Sequence, residues 1–133
     1  MGDWLATHRP GARDIAVPHL RNPSQGYSNE TWLCDASWQE DGGPRRNLPL
    51  VLRVQTTAVG TFPDCDLGKQ YRCMTALQDR DIPVPRLFGF EPDAEPLGAP
   101  FFLMERVDGD VPNENPLYHL EGWLHDLDPP DQA

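Results

Sequence analysis

The chain has 133 residues, a formal charge of −10, 38% hydrophobic residues and fifteen prolines. That length admits one domain, or one lobe of a larger one, with a modest core, and the prolines cut it into short elements and argue against a helical bundle. Six acids and six arginines precede Phe62, whereas eleven acids and the single base Arg106 lie from Glu91 onward, which argues against nucleic acid as a partner and reads best as a solvated acidic surface.

In chain order, residues 3–8 read as the last turn of a helix closed by Pro10-Gly11. Residues 15–20 alternate enough for a strand, and Pro18 confines it to a sheet edge. A turn-rich loop, 23–29, follows. Residues 30–38 set Thr31, Leu33 and Asp35 against Trp32, Cys34 and Ala36, a strand with both faces partly covered. Asp41-Gly42-Gly43-Pro44 is a turn, and 48–55 returns as the second arm of an antiparallel hairpin. Asp64 or Asp66 caps a helix over 67–78. Ile82-Pro83-Val84-Pro85 is an extended connector. Strands follow at 87–91 and 101–107, joined through 96–100. Beyond Gly109 the chain is acidic and broken by prolines, with a short helical candidate at 117–124. Three strands, a helix and two strands predict an α+β fold with an antiparallel sheet of about five strands.

Three cysteines, Cys34, Cys65 and Cys73, lack CxxC spacing, so neither a disulfide framework nor a zinc site is expected. No apolar run reaches the length of a membrane span, and the N-terminus lacks the basic and apolar regions of a signal peptide. A reduced, cytoplasmic setting is expected, with no membrane partner.

Three places depart from plain core or plain surface. On the helix, Leu67, Tyr71, Met74 and Leu77 form one apolar stripe, and Gln70 falls within it. A buried amide needs partners, which a nearby backbone group at the stripe's margin would supply. In Leu50-Val51-Leu52-Arg53-Val54, alternation puts Val51, Arg53 and Gln55 on one face and Leu50, Leu52 and Val54 on the other. An arginine among aliphatic residues either reaches solvent from the strand end or holds an anion. The turn Gln25-Gly26-Tyr27-Ser28-Asn29-Glu30-Thr31 is either an ordinary connection or a backbone cradle for phosphate, with Ser28 and Asn29 as side-chain donors; it fits neither common glycine-rich phosphate pattern.

The order of these features narrows the choice. A polar turn, a strand with a basic residue, a helix with an inward polar residue and a strand running into a connector follow the order of a kinase N-lobe. The segments GYSNET (26–31), LVLR (50–53), KQYRCMTAL (69–77), IPVPRL (82–87) and LGAPFFLMERVDG (97–109) resemble the aminoglycoside phosphotransferase family, kinase-like small-molecule phosphotransferases. They are most similar to the branch related to the kinase-like domain of certain long-chain acyl-CoA dehydrogenases. The likeness covers about residues 12–125.

That resemblance implies a protein-kinase-like N-lobe over 1–109, then an acidic segment, 110–133, leading toward a C-terminal catalytic lobe. It implies a nucleotide loop at Gly26, Tyr27, Ser28 and Asn29, and phosphate contacts from Arg53, where kinases at large have lysine. Gln70 stands where a glutamate normally orients that base. Met104 matches the back of the adenine pocket, with Val51 against the ring and the Glu105 carbonyl and Val107 N–H at the adenine edge. Met104 and Phe102 are equally readable as core. ATP (or GTP) and Mg²⁺ are the implied cofactors for the complete enzyme, and the acceptor is a hydroxyl on an aminoglycoside-like, hydroxyacyl or other small molecule. The H-G-D-x-x-x-x-N loop that carries the family's catalytic Asp and metal-binding Asn does not occur in these 133 residues. No catalytic residue and no metal ligand are therefore assigned, and this stretch alone is expected to be inactive. Two rivals stand beside the enzyme reading: a non-catalytic, pseudokinase-like nucleotide-binding module, and a dimerisation module using the surface that a C-terminal lobe would cover.

Overall fold

Alternating residues either side of Asp41-Gly42 close a long hairpin that forms the middle of the sheet. The computed structural model describes residues 1–22, 29–56, 66–80, 82–110, 112 and 115–127. Its elements are α1 (Gly2–His8), β1 (Ala12–Ala16), β2 (Glu30–Glu40), β3 (Arg45–Val54), α2 (Leu67–Gln78), β4 (Leu87–Glu91) and β5 (Phe101–Glu105). The five strands make one sheet in the order β1-β2-β3-β5-β4, with every neighbouring pair antiparallel. This is the expected α+β architecture of a kinase-like N-lobe.

β2 and β3 stay in register from Glu30↔Val54 to Gln39↔Arg45. The hairpin is longer than the sequence suggests because Arg45 and Arg46 extend the ladder, and Arg46 Nε lies 2.9 Å from Glu40 Oε2. The turn needs Asp41 at φ 28° and Gly42 at φ 78°, left-handed values that Asn, Asp and Gly tolerate best.

Two prolines bracket the β3–β5 ladder. Gln55 N donates to Pro100 O (2.9 Å) and Arg106 N to Pro49 O (3.1 Å). Proline has no N–H to return either bond, so the paired stretch stops at Val54↔Phe101 and Leu50↔Glu105. β5 therefore ends at Glu105, two residues short of the expected strand. The edge strand also differs: it occupies Ala12–Ala16, not 15–20. Asp14 at φ 51° breaks its register, and Pro18 and His19 (φ 52°) lead the chain off the sheet. It rejoins only at an isolated Arg21↔Leu33 bridge.

The two sheet faces are sealed differently. Cys34, Ala36 and Trp38 of β2, Leu50 and Leu52 of β3 and Phe101 and Leu103 of β5 form a buried layer with Trp4 and Leu5. The expected closing turn of a helix is thus a full helix, α1, that packs on the sheet. The Trp4 ring meets Phe101 edge-on (5.0 Å), stacks on His8 (3.9 Å), and its Nε1 donates to Glu91 Oε2 at 2.8 Å. On the opposite face, α2 lays Tyr71 over Phe90 (5.4 Å) and Phe102 (5.7 Å). Asp66, one of the two candidate caps, accepts from Lys69 N at 3.1 Å. Gly68 is buried where a Cβ would come within 3.4 Å of the Phe90 ring. The apolar stripe fades at Leu77, which is 36% exposed.

Residues 117–124 form turns, not the expected helix. Leu117, Tyr118, Leu120 and Trp123 are exposed there, so these side chains gain little of the burial that stabilises most helices. No helix of the described residues is long and apolar enough to cross a membrane.

Candidate functional site

The β2, β3 and β5 ladders place Thr31, Arg53 and Phe102 side by side across three strands. One pair further along, Leu33, Val51 and Met104 form a second row on the same face. α2 crosses this face through Tyr71. The result is an arginine set between an apolar row and a helix.

Arg53 is half-buried, and its Nη1 donates to Thr31 Oγ1 across the ladder. Its Nε is buried without a hydrogen-bond partner among the described residues. Burial pulls the guanidinium pKa below its ordinary value. A buried N–H left unpaired costs roughly 1–3 kcal/mol, and more on a charged group. Asn29, 8% exposed at the head of β2, carries a second orphan, a buried Oδ1 with no partner among the described residues. Glu30, next to Asn29, pairs with Val54, next to Arg53, so both orphans belong to one end of the hairpin. They do not satisfy each other.

Gln70 is partly exposed on α2, and no hydrogen bond joins it to Arg53. A neutral hydroxyl from the neighbouring strand holds the guanidinium instead. Gln55, on the same strand face, accepts from Leu67 N through Oε1 (3.4 Å) and ties the start of α2 to the end of β3. Residue type alone marks neither Thr31 nor Gln55 for these contacts. Both occupy alternation positions that share a face with Arg53, and that shared face is the signal by which the sequence could reveal them.

Two residues before Arg53 on β3, Val51 is buried beside Met104, which is partly covered. Glu105 N donates to Arg86 O (2.8 Å), and Arg106 N to Pro49 O. The chain then leaves the sheet with Val107 68% exposed, and no backbone bond among the described residues engages its N–H. Arg106 steadies the exit: Nη1 lies 3.2 Å from Asp35 Oδ1 and Nε lies 3.4 Å from Asp108 Oδ1. The Nη1 contact is close enough for an ion pair but is not aligned as a hydrogen bond. Gly26, Tyr27 and Ser28 lie outside the described residues. Among the described residues no group of three or more His, Cys, Asp or Glu side chains is arranged to hold a metal ion.

A five-stranded antiparallel sheet, one helix across its β4–β5 end and a strand that runs out into a connector define a kinase-like N-lobe. A family model described as the phosphotransferase enzyme family, APH, matches residues 19–128, and the chain belongs to that family.

Proposed function

We propose that this chain is the nucleotide-binding lobe of an ATP-dependent phosphotransferase that phosphorylates a hydroxyl on a small molecule. The observation that carries the reading is the buried, unpartnered Nε of Arg53. A guanidinium with a spare donor, fixed at one corner by Thr31, is suited to a phosphate oxygen. Such a contact would relieve the cost of the orphan.

The residues present fit a nucleotide in outline. Arg53 would hold phosphate oxygens, with Gly26, Tyr27, Ser28 and Asn29 covering them and Gln70 orienting Arg53. Val51 and Met104 would border the adenine ring, and the Glu105 carbonyl and Val107 N–H would meet its edge. ATP, or GTP, supplies the phosphoryl group that is transferred. The described residues do not make a Mg²⁺ site, so no metal step is assigned to this chain. The segment 110–133 would lead toward a catalytic lobe that also brings the acceptor, either an aminoglycoside-like or a hydroxyacyl compound. Alone, the 133 residues would bind nucleotide without turnover. The free thiols of Cys34 and Cys73 suit a reducing, cytoplasmic setting.

A non-catalytic nucleotide-binding module is the second reading, and the neutral Thr31 partner of Arg53 favours it. Titration calorimetry of the chain with ATP tests binding, with Arg53→Gln as the comparison. Saturable binding lost in that variant supports the lobe; equal binding by both proteins would sink it. The two readings part in the protein that contains the catalytic lobe: phosphate release or transfer with a panel of hydroxyl acceptors identifies the enzyme, and binding without either identifies the module.

A further inference from the structure

We infer that the back of the sheet, the face opposite Arg53, carries a cleft for a small oxyanion of the phosphate-monoester type, gripped by Arg9 and Arg86. Both guanidiniums converge on one ring: Arg9 Cζ lies 5.0 Å and Arg86 Cζ 5.4 Å from the centre of Phe88. Arg9 also lies 5.6 Å from the Trp38 ring. Two adjoining hollows of about 290 and 250 Å³ open here, and both are lined by Arg9, Glu40, Arg86 and Phe88.

The charge in this cleft runs against the rest of the molecule. The chain as a whole carries −10, yet among the described residues lining the cleft Arg9, Arg46 and Arg86 face a single carboxylate. That carboxylate, Glu40, is already engaged by Arg46 Nε at 2.9 Å and by Trp38 Nε1 at 3.2 Å. Among the described residues, no carboxylate lies within ion-pair distance of Arg9 or Arg86. Two like charges gathered on one aromatic ring repel each other, and a doubly charged anion between them would turn that repulsion into attraction. The aromatic contacts bring both guanidinium carbons to the same ring, from which their planar donor forks can reach an anion.

The walls are anchored. Arg9 caps the C-terminus of α1, whose Trp4 and Leu5 are buried. Arg86 precedes β4, and its carbonyl holds Glu105 N at 2.8 Å. The forks are therefore presented by fixed backbone, and phosphate, with more acceptor oxygens and more charge than a carboxylate, is the better match for two of them.

Inorganic phosphate titrated into the chain, followed by NMR of the arginine Nε–H and Trp38 indole signals, tests the inference, with acetate as the carboxylate arm. Saturation in the range of about 1–10 mM phosphate is expected, with acetate weaker. Arg9→Gln and Arg86→Gln should each weaken it about tenfold, while Arg9→Lys and Arg86→Lys, which keep the charge but lose the fork, fall between. Arg13→Gln, on the exposed edge strand, should leave these shifts unchanged. Non-saturating shifts, equal affinity in the Arg9 and Arg86 variants, or loss only with Arg53→Gln would overturn the cleft. That last outcome would instead place phosphate on the face proposed for nucleotide. Circular dichroism on each variant separates lost binding from lost folding.

Discussion

Arg53 and Thr31 sit directly opposite each other on β3 and β2, and the guanidinium donates to the threonine hydroxyl across the ladder. The partner is strand-borne and neutral, so movement of α2 alone does not remove it. On the nucleotide-lobe reading, Thr31 positions Arg53 and Gln70 contributes less. Thr31→Val should lower affinity for ATP about tenfold, the worth of one hydrogen bond to a charged group. Thr31→Ser should retain affinity, and Gln70→Ala should stay within about twofold. Calorimetry decides: a larger loss from Gln70→Ala than from Thr31→Val would show that the helix, not the strand, orients Arg53.

Gly89 tests how β4 is fitted against α1. It sits at the register shift of β4 with φ 147°, and a Cβ there would lie 2.8 Å from a Trp4 ring carbon. Side chains avoid that φ, and Trp4 is held on several sides by Phe101, His8 and Glu91. Gly89→Ala should destabilise the protein by about 2–4 kcal/mol. Ala94→Gly, in the exposed β4–β5 connection, should cost under about 1 kcal/mol. Urea unfolding midpoints compare them, and a Gly89→Ala protein as stable as the parent would mean that α1 does not pack as described.

Much of this fold is legible in alternation and capping. Thr31, Leu33 and Asp35 against Trp32, Cys34 and Ala36 mark the interior strand β2 and its two covered faces, and Asp66 with the Leu67–Tyr71 spacing marks α2. The features that escape such reading depend on contacts distant in sequence. Trp4 marks a packed helix only because Phe101 and Glu91, some ninety residues on, receive it. The end of β5 is set by Pro49 on another strand, not by Arg106 or Val107. At the site, Arg53 stands out as a charge among aliphatics, whereas Thr31 is an ordinary strand residue until the register places it opposite.

Glu91 links stability to acid. Its carboxyl is held below the usual range, first by the Asp93 backbone N–H (2.9 Å) and then by the Trp4 indole. A depressed folded pKa means that stability is full above the unfolded value, 4.5, and is lost as pH falls through the lower folded value. Glu91→Gln should remove part of the acid-side loss. Unfolding curves between pH 6 and pH 3, taken as round experimental limits of about those values, check it; an unchanged difference between the two pH values in the variant would assign the loss to other carboxylates.

Cys34 should behave oppositely at high pH. It is buried in the sheet core, and its thiol is pushed up from 9.0 to about 11, chiefly by burial, then by the Asp35 charge, with Arg106 pulling the other way. The folded state therefore holds this proton more tightly than the unfolded chain does. Its contribution is complete below pH 9.0 and is lost as pH rises toward about 11. Over that interval the tighter hold on the proton is worth about 2–3 kcal/mol. The same burial keeps the thiolate scarce and inaccessible, while Cys73 is exposed. Maleimide labelling with peptide mapping should modify Cys73 within minutes at neutral pH and reach Cys34 only on the timescale of unfolding. Cys34→Ala should flatten the decline in stability above pH 9.0. Rapid labelling of Cys34 in the folded protein, or a variant that loses stability over the same pH range by the same amount, would show that the β2–β3 core opens to solvent where it is described as closed.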